Sequence, residues 1–358
     1  MRGVKSSHHT DRIPALAFAL LLSGGLACWP AAISAQSPEG TAAQNDAAQT
    51  DTQNYTVKEG GTTYSRTVQS ERKNTPEGEV ETQRVLTAIG GGEEHVLLEK
   101  EIRTKKLPNG DVEKEYILKN PSLDGQLIPI EITHETIKQS GDSTTVEREI
   151  TKPDLQGHWN TTRKESETVT GPESDKQTVK EVREPTMDGA WRVVDREVTA
   201  TKSSEDSVES HSVRQIPNPQ GKLADYEVRD ERKTTQGAKE TNEVTLRRRD
   251  LANPDKPQFY LVEHTTSEQT TSPDGKVVTH STKQSDTLAG GASRNMDSSH
   301  PLLVEEKTEE QTTGQDGSKQ VVVKVSERGA DSRMQPATVV VTQKDAKGNV
   351  NEVLIPAH

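Results

Sequence analysis

The chain is poor in the residues that form a globular core. Only 28% of its 358 residues are hydrophobic, 3% are aromatic, and its single cysteine, Cys28, lies close to the N-terminus. A compact domain of this length normally has well over a third of apolar residues, so the composition excludes a thick core. The alternatives are a largely disordered chain and a thin, extended structure that buries little surface.

The chain also lacks the cysteines that a disulfide scaffold needs and the excess of positive charge that nucleic-acid binding needs. A mature chain without Cys28 has neither a disulfide scaffold nor a catalytic thiol. The formal net charge is −12 at pH 7, whereas nucleic-acid binding requires a positive surface. The composition therefore disfavours a nucleic-acid partner.

Long apolar runs are missing except at the N-terminus. There a basic start, "MRGVKSSHHTDR", precedes "IPALAFALLLSGGLA" and the small residues of "AAISA". This order predicts a signal peptide over residues 1–35 that is cleaved after Ala35, and an uncleaved anchor is the alternative. "GLAC" resembles a lipidation motif at Cys28, but Gly25 stands where that motif usually has Leu. We expect an exported protein, periplasmic, cell-surface or extracellular, with no membrane span in the mature chain.

What the chain does contain is an internal repeat of 32 residues. Four turns of the form Pro-x-x-x-Gly, "PSLDG", "PDLQG", "PTMDG" and "PNPQG", recur in phase, and a second turn falls near the middle of each unit. Features that stay in phase over four copies indicate a repeat architecture. We assign structural roles in these turns to Pro121, Gly125, Pro153, Gly157, Pro185, Gly189, Pro217 and Gly221.

The segments between turns favour β-strands. "TTVEREITK" and "VVVKVSE" are rich in β-branched residues, and their apolar residues recur with a period nearer two than 3.6. Turns arrive about every 16 residues, which leaves strands of about 9–12 residues that pair antiparallel with their neighbours. We therefore predict an all-β fold, an elongated antiparallel meander of about 16–18 strands built from β-hairpin repeats. The strands would form one thin single sheet, open or coiled.

The same rhythm sets the domain boundaries. Residues 36–54 are typical of a disordered linker, and residues 55–288 form the β-hairpin repeat region, with the 32-residue period clearest over 121–252. Residues 289–300 are predicted to be a flexible loop. Residues 301–356 are predicted to be C-terminal β-repeats.

A two-layer sandwich is disfavoured because neither set of alternating residues is consistently apolar. Along "AWRVVDREV", Trp191 and Val193 are expected to point to one face, and Val194 and Val198 to the other. A sandwich requires one apolar face in each sheet. The pattern instead predicts a sheet that is wet on both sides.

Large apolar residues recur two positions after each Pro-x-x-x-Gly glycine, and a shifted fifth copy follows. Their phase predicts a column near one edge of the sheet, with Ile150 and Val182 between its members. Packing at this edge is one interpretation of the aromatic members, and stacking on a sugar or a partner protein is the other. Trp159, Trp191 and Phe259 are therefore the candidate binding residues. The full column is Leu127, Trp159, Trp191, Leu223 and Phe259.

Motifs for catalysis and metal binding are missing. The chain has no G-x-S-x-G, no H-E-x-x-H and no phosphate-binding loop. The histidines after residue 35 are scattered singly, as solvated surface residues are, and the Asp-Gly turns fit ordinary turn chemistry better than calcium binding. We expect no enzymatic activity, no metal and no cofactor.

An outer-membrane barrel is disfavoured by the same patterning. Lipid-facing positions of such a barrel alternate as apolar residues. In "EVRDERKTT", both alternating sets contain charged residues. Neither face of that strand would suit lipid.

The units "PDLQGHW" and "PTMDGAWRVVDREV" resemble repeats in a loose group of uncharacterised secreted bacterial proteins. The resemblance covers about residues 90–290 and rests on the repeated Pro-x-x-x-Gly turn and the Arg-Glu-Val strand end. It implies a β-repeat architecture. It implies no activity, cofactor or binding site.

These observations favour a non-enzymatic protein with a structural or adhesive role at the cell envelope or outside it. The alternative is a module that binds a polysaccharide or an envelope protein through the aromatic column. A hydrolase is disfavoured because it needs a concave apolar pocket that this composition hardly supports.

Overall fold

The computed structural model describes residues 49–59, 62–89, 92–249, 259–285, 302–329, 333–346 and 349–356, and these form β-strands and the turns between them. The all-β prediction is confirmed. The predicted signal peptide and the 289–300 loop lie outside the described residues. Nineteen strands are present: β1 Gln49–Glu59, β2 Thr62–Thr75, β3 Gly78–Ile89, β4 His95–Lys106, β5 Val112–Pro121, β6 Leu127–Ser140, β7 Ser143–Pro153, β8 Trp159–Thr170, β9 Asp175–Pro185, β10 Trp191–Ser203, β11 Ser207–Pro217, β12 Leu223–Gln236, β13 Lys239–Arg248, β14 Tyr260–Thr271, β15 Val277–Ser285, β16 Leu302–Thr313, β17 Lys319–Arg328, β18 Met334–Lys344 and β19 Val350–Pro356.

The strands form one closed barrel, so the prediction of an open meander of 16–18 strands is wrong. Each strand pairs antiparallel with the next, and β19 pairs back with β1. Because the strand number is odd, β1 and β19 run in the same direction and their ladder is parallel. This seam joins Tyr55–Lys58 to Val350–Val353. Closure pairs two edges that an open sheet would leave exposed.

Regularly spaced β-bulges supply the curvature that closure needs. Each odd-numbered strand from β3 to β17 pairs with the strand that follows it through a ladder with one register shift. The ladder between β1 and β2 has none. Each shift adds one residue to the even-numbered strand. A bulge bends its strand and increases the local twist, and repeated bulges curve a sheet. The added residues are Leu97, Ile130, Thr162, Val194, Tyr226, Val262, Val304 and Ala337.

The barrel has an outer face and a lumen face, which the exposure of alternating residues distinguishes. Side chains converge on a concave surface, so they are less exposed there than on the convex side. In β7, Glu147 and Glu149 are exposed, whereas Val146 and Arg148 are half-buried. We therefore assign the two glutamates to the outer face and Arg148 to the lumen, and strand pairing extends this assignment around the barrel.

The barrel is wide and thinly packed. Nineteen strands spaced about 4.8 Å apart and tilted by about 40° give a backbone diameter of roughly 35–40 Å. Barrels of this width enclose water and not a side-chain core. Among the described residues, the buried hydrophobic side chains are Ala88, Ile117 and Val304.

Cross-strand ion pairs line both faces of the wall. On the outer face, Lys119 Nζ lies 2.9 Å from Glu99 and 2.7 Å from Glu101. In the lumen, Arg148 Nε lies 2.6 Å from Glu135. Such pairs contribute about 0.2–1 kcal/mol each, so the backbone ladders carry most of the stability.

Candidate functional site

The Pro-x-x-x-Gly turns lie together on one rim of the barrel, which we call the proline rim. They close the hairpins β5–β6, β7–β8, β9–β10 and β11–β12. In the third turn, the amide of Thr186 donates to Ala190 O (2.8 Å) and that of Gly189 donates to Thr186 O (2.9 Å). Gly189 has φ +81°, the left-handed conformation that ends a three-residue hairpin loop.

Each turn proline is the last residue of its strand. Pro185 ends β9 opposite Trp191, and the pairing of β9 with β8 stops two residues earlier, at Arg183. A proline has no amide hydrogen to donate. At this position the missing donor interrupts no ladder hydrogen bond.

The four turns use two alternating sets of side-chain hydrogen bonds. In the first and third, the hydroxyls of Ser122 and Thr186 donate to Asp124 and Asp188, whose carboxylates also accept backbone amides. These hydrogen bonds, the hydroxyl first, lower the pKa of both aspartates. In the second turn, Asp154 Oδ1 accepts two backbone amides at 2.9 Å. Asn218 does the same in the fourth turn at 3.0 Å.

The two tryptophans lie on the outer face just below the proline rim, opposite the turn prolines. Trp159 pairs with Pro153, and Trp191 with Pro185. The predicted partner Ile150 pairs with Arg163 on the lumen face. Val182 likewise lies on the lumen face, so the prediction that these two residues separate the tryptophans is wrong. The residue between the two tryptophans on the outer face is instead Pro185, which pairs with Trp191.

The environments of the two indole rings differ. The Lys164 ammonium lies 5.0 Å from the centroid of Trp191, within cation–π range. Trp191 is half-buried, whereas Trp159 is 41% exposed. Phe259 is half-buried directly before β14, and β11–β13 separate it from Trp191. The structure therefore does not bring the three candidate binding residues together.

A polar cluster lies at the start of β8 on the side of the strand opposite to Trp159, because Asn160 pairs with Lys152 whereas Trp159 pairs with Pro153. Asn160 Nδ2 donates to Asp154 Oδ2 and to His158 O, both at 3.2 Å. His158 Nδ1 lies 3.5 Å from Asp154 Oδ2. The ring of Trp159 is therefore exposed on the outer face without these groups, and an exposed aromatic face can stack on a sugar.

Sequence reasoning missed the apolar residues at the tips of the first three turns. Leu123, Leu155 and Met187 occupy the third position of each Pro-x-x-x-Gly motif and have relative exposures of 111%, 101% and 110%. We call these three residues the apolar tips. Their shared position in the repeat was the available signal.

The lumen wall has a shallow groove of about 310 Å³ across β9–β12. Arg214 Nε donates to Asp195 Oδ2 at 2.9 Å, and Ser212 Oγ is 2.7 Å from Thr199 Oγ1. Glu227 in the groove pairs with Arg248 Nε at 2.7 Å. The Ser212 hydroxyl pairs with the Thr199 hydroxyl, and a pair of hydroxyls is not the nucleophile–base arrangement of covalent catalysis.

Metal-ligating side chains do not converge in the described part of the chain, where no group of three or more His, Cys, Asp or Glu could hold an ion. Within the same residues, no helix has the length and apolar character to cross a membrane.

Comparison with known proteins identifies no family. No protein-family model matches the chain, and no curated protein matches it. Among solved structures, one match is a porin-like protein from Bacteroides uniformis, with 11% sequence identity and a TM-score of 0.24. The match covers 83% of this chain and 95% of that one. An overlap this low carries no argument about function.

Proposed function

We propose that this protein is an exported, non-enzymatic barrel with a structural or adhesive role at the cell envelope, standing in water on both sides of its wall. The observation that carries the proposal is the charge on the outer face. Outward-facing, exposed charges occur around the barrel, among them Arg103, Glu149, Arg183, Arg232 and Glu243.

The cost of burying these side chains in lipid decides against a membrane-embedded wall. An Arg or Lys near the midplane of a lipid-facing barrel wall costs about 2–4 kcal/mol. Toward the interfaces the cost falls to about 0–1 kcal/mol, and Arg103, Arg183 and Arg232 lie two to four residues from a strand end, so together they would cost several kcal/mol. Balanced ion pairs on a surface cost nothing comparable in water, where they also keep barrels from aggregating.

Export is supported by the N-terminal sequence, and the lack of enzymatic activity by the lumen chemistry. The order of basic, apolar and small residues over 1–35 is typical of a cleaved signal. In the lumen groove Arg214 pairs with Asp195, and the Ser212 hydroxyl pairs with the hydroxyl of Thr199 and not with a base.

Expression of the full chain in a Gram-negative host tests this proposal. We expect a product that begins near Gln36 and is recovered from the periplasm or medium, or released from membranes by alkaline carbonate without detergent. Recovery only with detergent would contradict a barrel in water. A mature chain beginning at lipidated Cys28 would replace the predicted processing.

A polysaccharide-binding role is the second candidate, and the exposure of the Trp159 ring on the outer face favours it. Retention of the purified barrel in gels that contain soluble glucan or xylan measures such binding. Trp159→Ala should abolish the retardation, and Trp191→Ala should leave most of it, because Lys164 already covers that ring. Equal mobility of wild type with and without polysaccharide would exclude this role for the glycans used.

A further inference from the structure

We propose that the apolar tips and the two aspartates beside them form a docking surface for a polypeptide partner that presents apolar and cationic side chains together. This inference rests on the adhesive role proposed above and names the chemistry of the partner. The surface comprises Leu123, Leu155 and Met187 with Asp124 and Asp188.

Exposed apolar residues are concentrated at this place. Seven large hydrophobic side chains of the described residues are exposed, and five of them lie on the hairpins β5–β6, β7–β8 and β9–β10 near the proline rim. Ile128 faces the lumen and Trp159 the outer face, whereas the three tips project together from the rim. Single exposed hydrophobic residues are ordinary, but several at one place mark an interaction site. The five are Leu123, Ile128, Leu155, Trp159 and Met187.

The tips are held at a fixed spacing. Successive hairpins are two strands apart, which places neighbouring tips about 10 Å from each other along the sheet. Each three-residue loop is fixed by backbone hydrogen bonds and by its aspartate, as in the Thr186–Ala190 turn. Little backbone conformational entropy is therefore lost when a partner binds.

Charge at the tips selects the partner. The turn hydrogen bonds of Asp124 and Asp188 go to Oδ1, which leaves Oδ2 of each available to a cation. Both carboxylates are ionised at neutral pH, which lies far above the ordinary pKa of aspartate, and hydrogen bonds from the turn lower their pKa further. Each of these carboxylates adjoins an apolar tip in sequence, so a complementary surface alternates apolar groups with Lys or Arg.

The same charges disfavour two other occupants. A second barrel docked rim to rim would bring like carboxylates together, and an anionic membrane would repel them. Insertion of the tips into a zwitterionic bilayer would carry the carboxylates to the deepest point, where desolvation is costly. A cationic, amphipathic polypeptide avoids each of these penalties.

Fluorescence anisotropy with a labelled peptide of alternating Leu and Lys, added to the chain from Gln36 onward, tests the proposal. A Ser–Lys peptide and a Leu–Glu peptide control for charge alone and for apolar content alone. We expect the Leu–Lys peptide to bind, and the triple variant L123S/L155S/M187S to weaken that binding at least tenfold. D124N/D188N should weaken it at least threefold and reduce its salt dependence.

Val208→Ser is the matched control, because Val208 is 38% exposed and lies near the opposite rim. It should leave the dissociation constant unchanged. Since the tips contact solvent only, circular dichroism of the triple variant should match wild type. A triple variant that binds within twofold of wild type, or equal binding of the Ser–Lys peptide, would overturn the proposal.

Two further measurements separate the competing occupants. Flotation with phosphatidylcholine vesicles that the triple variant abolishes would overturn the proposal in favour of lipid. Dimers in sedimentation velocity that the triple variant abolishes would overturn it in favour of a second copy of this chain. Failure of peptide binding by an exported, detergent-free barrel would refute this inference alone. Recovery of the barrel only in detergent would refute the proposed function instead.

Discussion

Glu99 offers the sharpest test of how the barrel wall is stabilised. Its side chain is 5% exposed on the outer face, and it accepts hydrogen bonds from Arg84 Nε at 2.6 Å and Lys119 Nζ at 2.9 Å. Glu99→Gln keeps the shape of the side chain and removes its charge. A hydrogen bond to a charged group contributes about 1.5–3 kcal/mol, against about 0.5–1.5 kcal/mol for a neutral one.

Arg84 donates to Oε2 and Lys119 to Oε1, so the glutamine amide keeps one acceptor and replaces the other with a donor. Loss of one charged hydrogen bond and weakening of the other would cost about 2–3 kcal/mol, but Arg84 is 47% exposed and solvent screens its charge. We therefore expect Glu99→Gln to lower the free energy of unfolding by about 1–2 kcal/mol at pH 7. Urea unfolding followed by circular dichroism measures it. Glu113→Gln is the control, because Glu113 is exposed on the outer face of β5, and it should change the free energy of unfolding little.

The pH dependence of this loss has a definite sign. Burial raises the pKa of Glu99, but hydrogen bonds from Arg84 and Lys119 outweigh burial, and the net shift is downward. A carboxyl with a depressed folded-state pKa stabilises the fold above its unfolded pKa of about 4.3 and loses that contribution as pH falls through the folded value. The gap between wild type and Glu99→Gln should narrow from pH 7 to pH 3. An equal gap at both values, or no gap at pH 7, would refute this reasoning.

Further substitutions test the turns and the lumen. Gly189→Val should lower stability by about 1 kcal/mol or more in thermal unfolding, because φ is +81° although space is open. Gly78→Ala should cost more, since its Cβ would stand 2.1 Å from Thr104 O; a smaller loss than that of Gly189→Val would contradict the packing described. Tyr116→Phe removes a 2.9 Å hydrogen bond to Glu135 and should cost about 1 kcal/mol in urea unfolding. An unchanged urea midpoint would mean that water replaces this bond.

The β-structure could be predicted because its signals are local. β-Branched residues with a period near two, and turns about every 16 residues, do not depend on distant parts of the chain. β1 begins at Gln49, inside the 36–54 segment whose composition is typical of a linker. Its residues form a strand because β2 pairs with them over their whole length.

Closure could not be predicted, because nothing in the side-chain pattern encodes it. The seam is a backbone ladder between Tyr55–Lys58 and Val350–Val353, segments that no motif relates. A bulge in each even-numbered strand from β4 to β18 also shifts the alternation between inward and outward residues part-way along that strand. Trp191 and Val198 were expected on opposite faces, but the extra residue Val194 puts both on the outer face.

Of the candidate site, only the position of each residue within the repeat could be predicted. Trp159 and Trp191 have equivalent positions in their units, yet one is open to solvent and the other is covered by Lys164. That lysine comes from the previous hairpin and has no counterpart beside Trp159. The difference depends on which residue each neighbouring strand brings to the ring, which the repeat does not specify.

An engineered disulfide across the seam tests the closed barrel most directly. The chain from Gln36 onward has no cysteine, so Tyr55→Cys with Val350→Cys provides one pair at directly opposed positions. Neighbouring strands bring α-carbons to about 4.8 Å, within the range that a disulfide spans. Mild oxidation at low protein concentration should give an intramolecular crosslink in nearly all molecules, and Tyr55→Cys with Thr199→Cys in β10 should give none. An open meander would hold β1 and β19 roughly 85 Å apart, so free thiols or only intermolecular dimers in the seam variant would contradict the barrel.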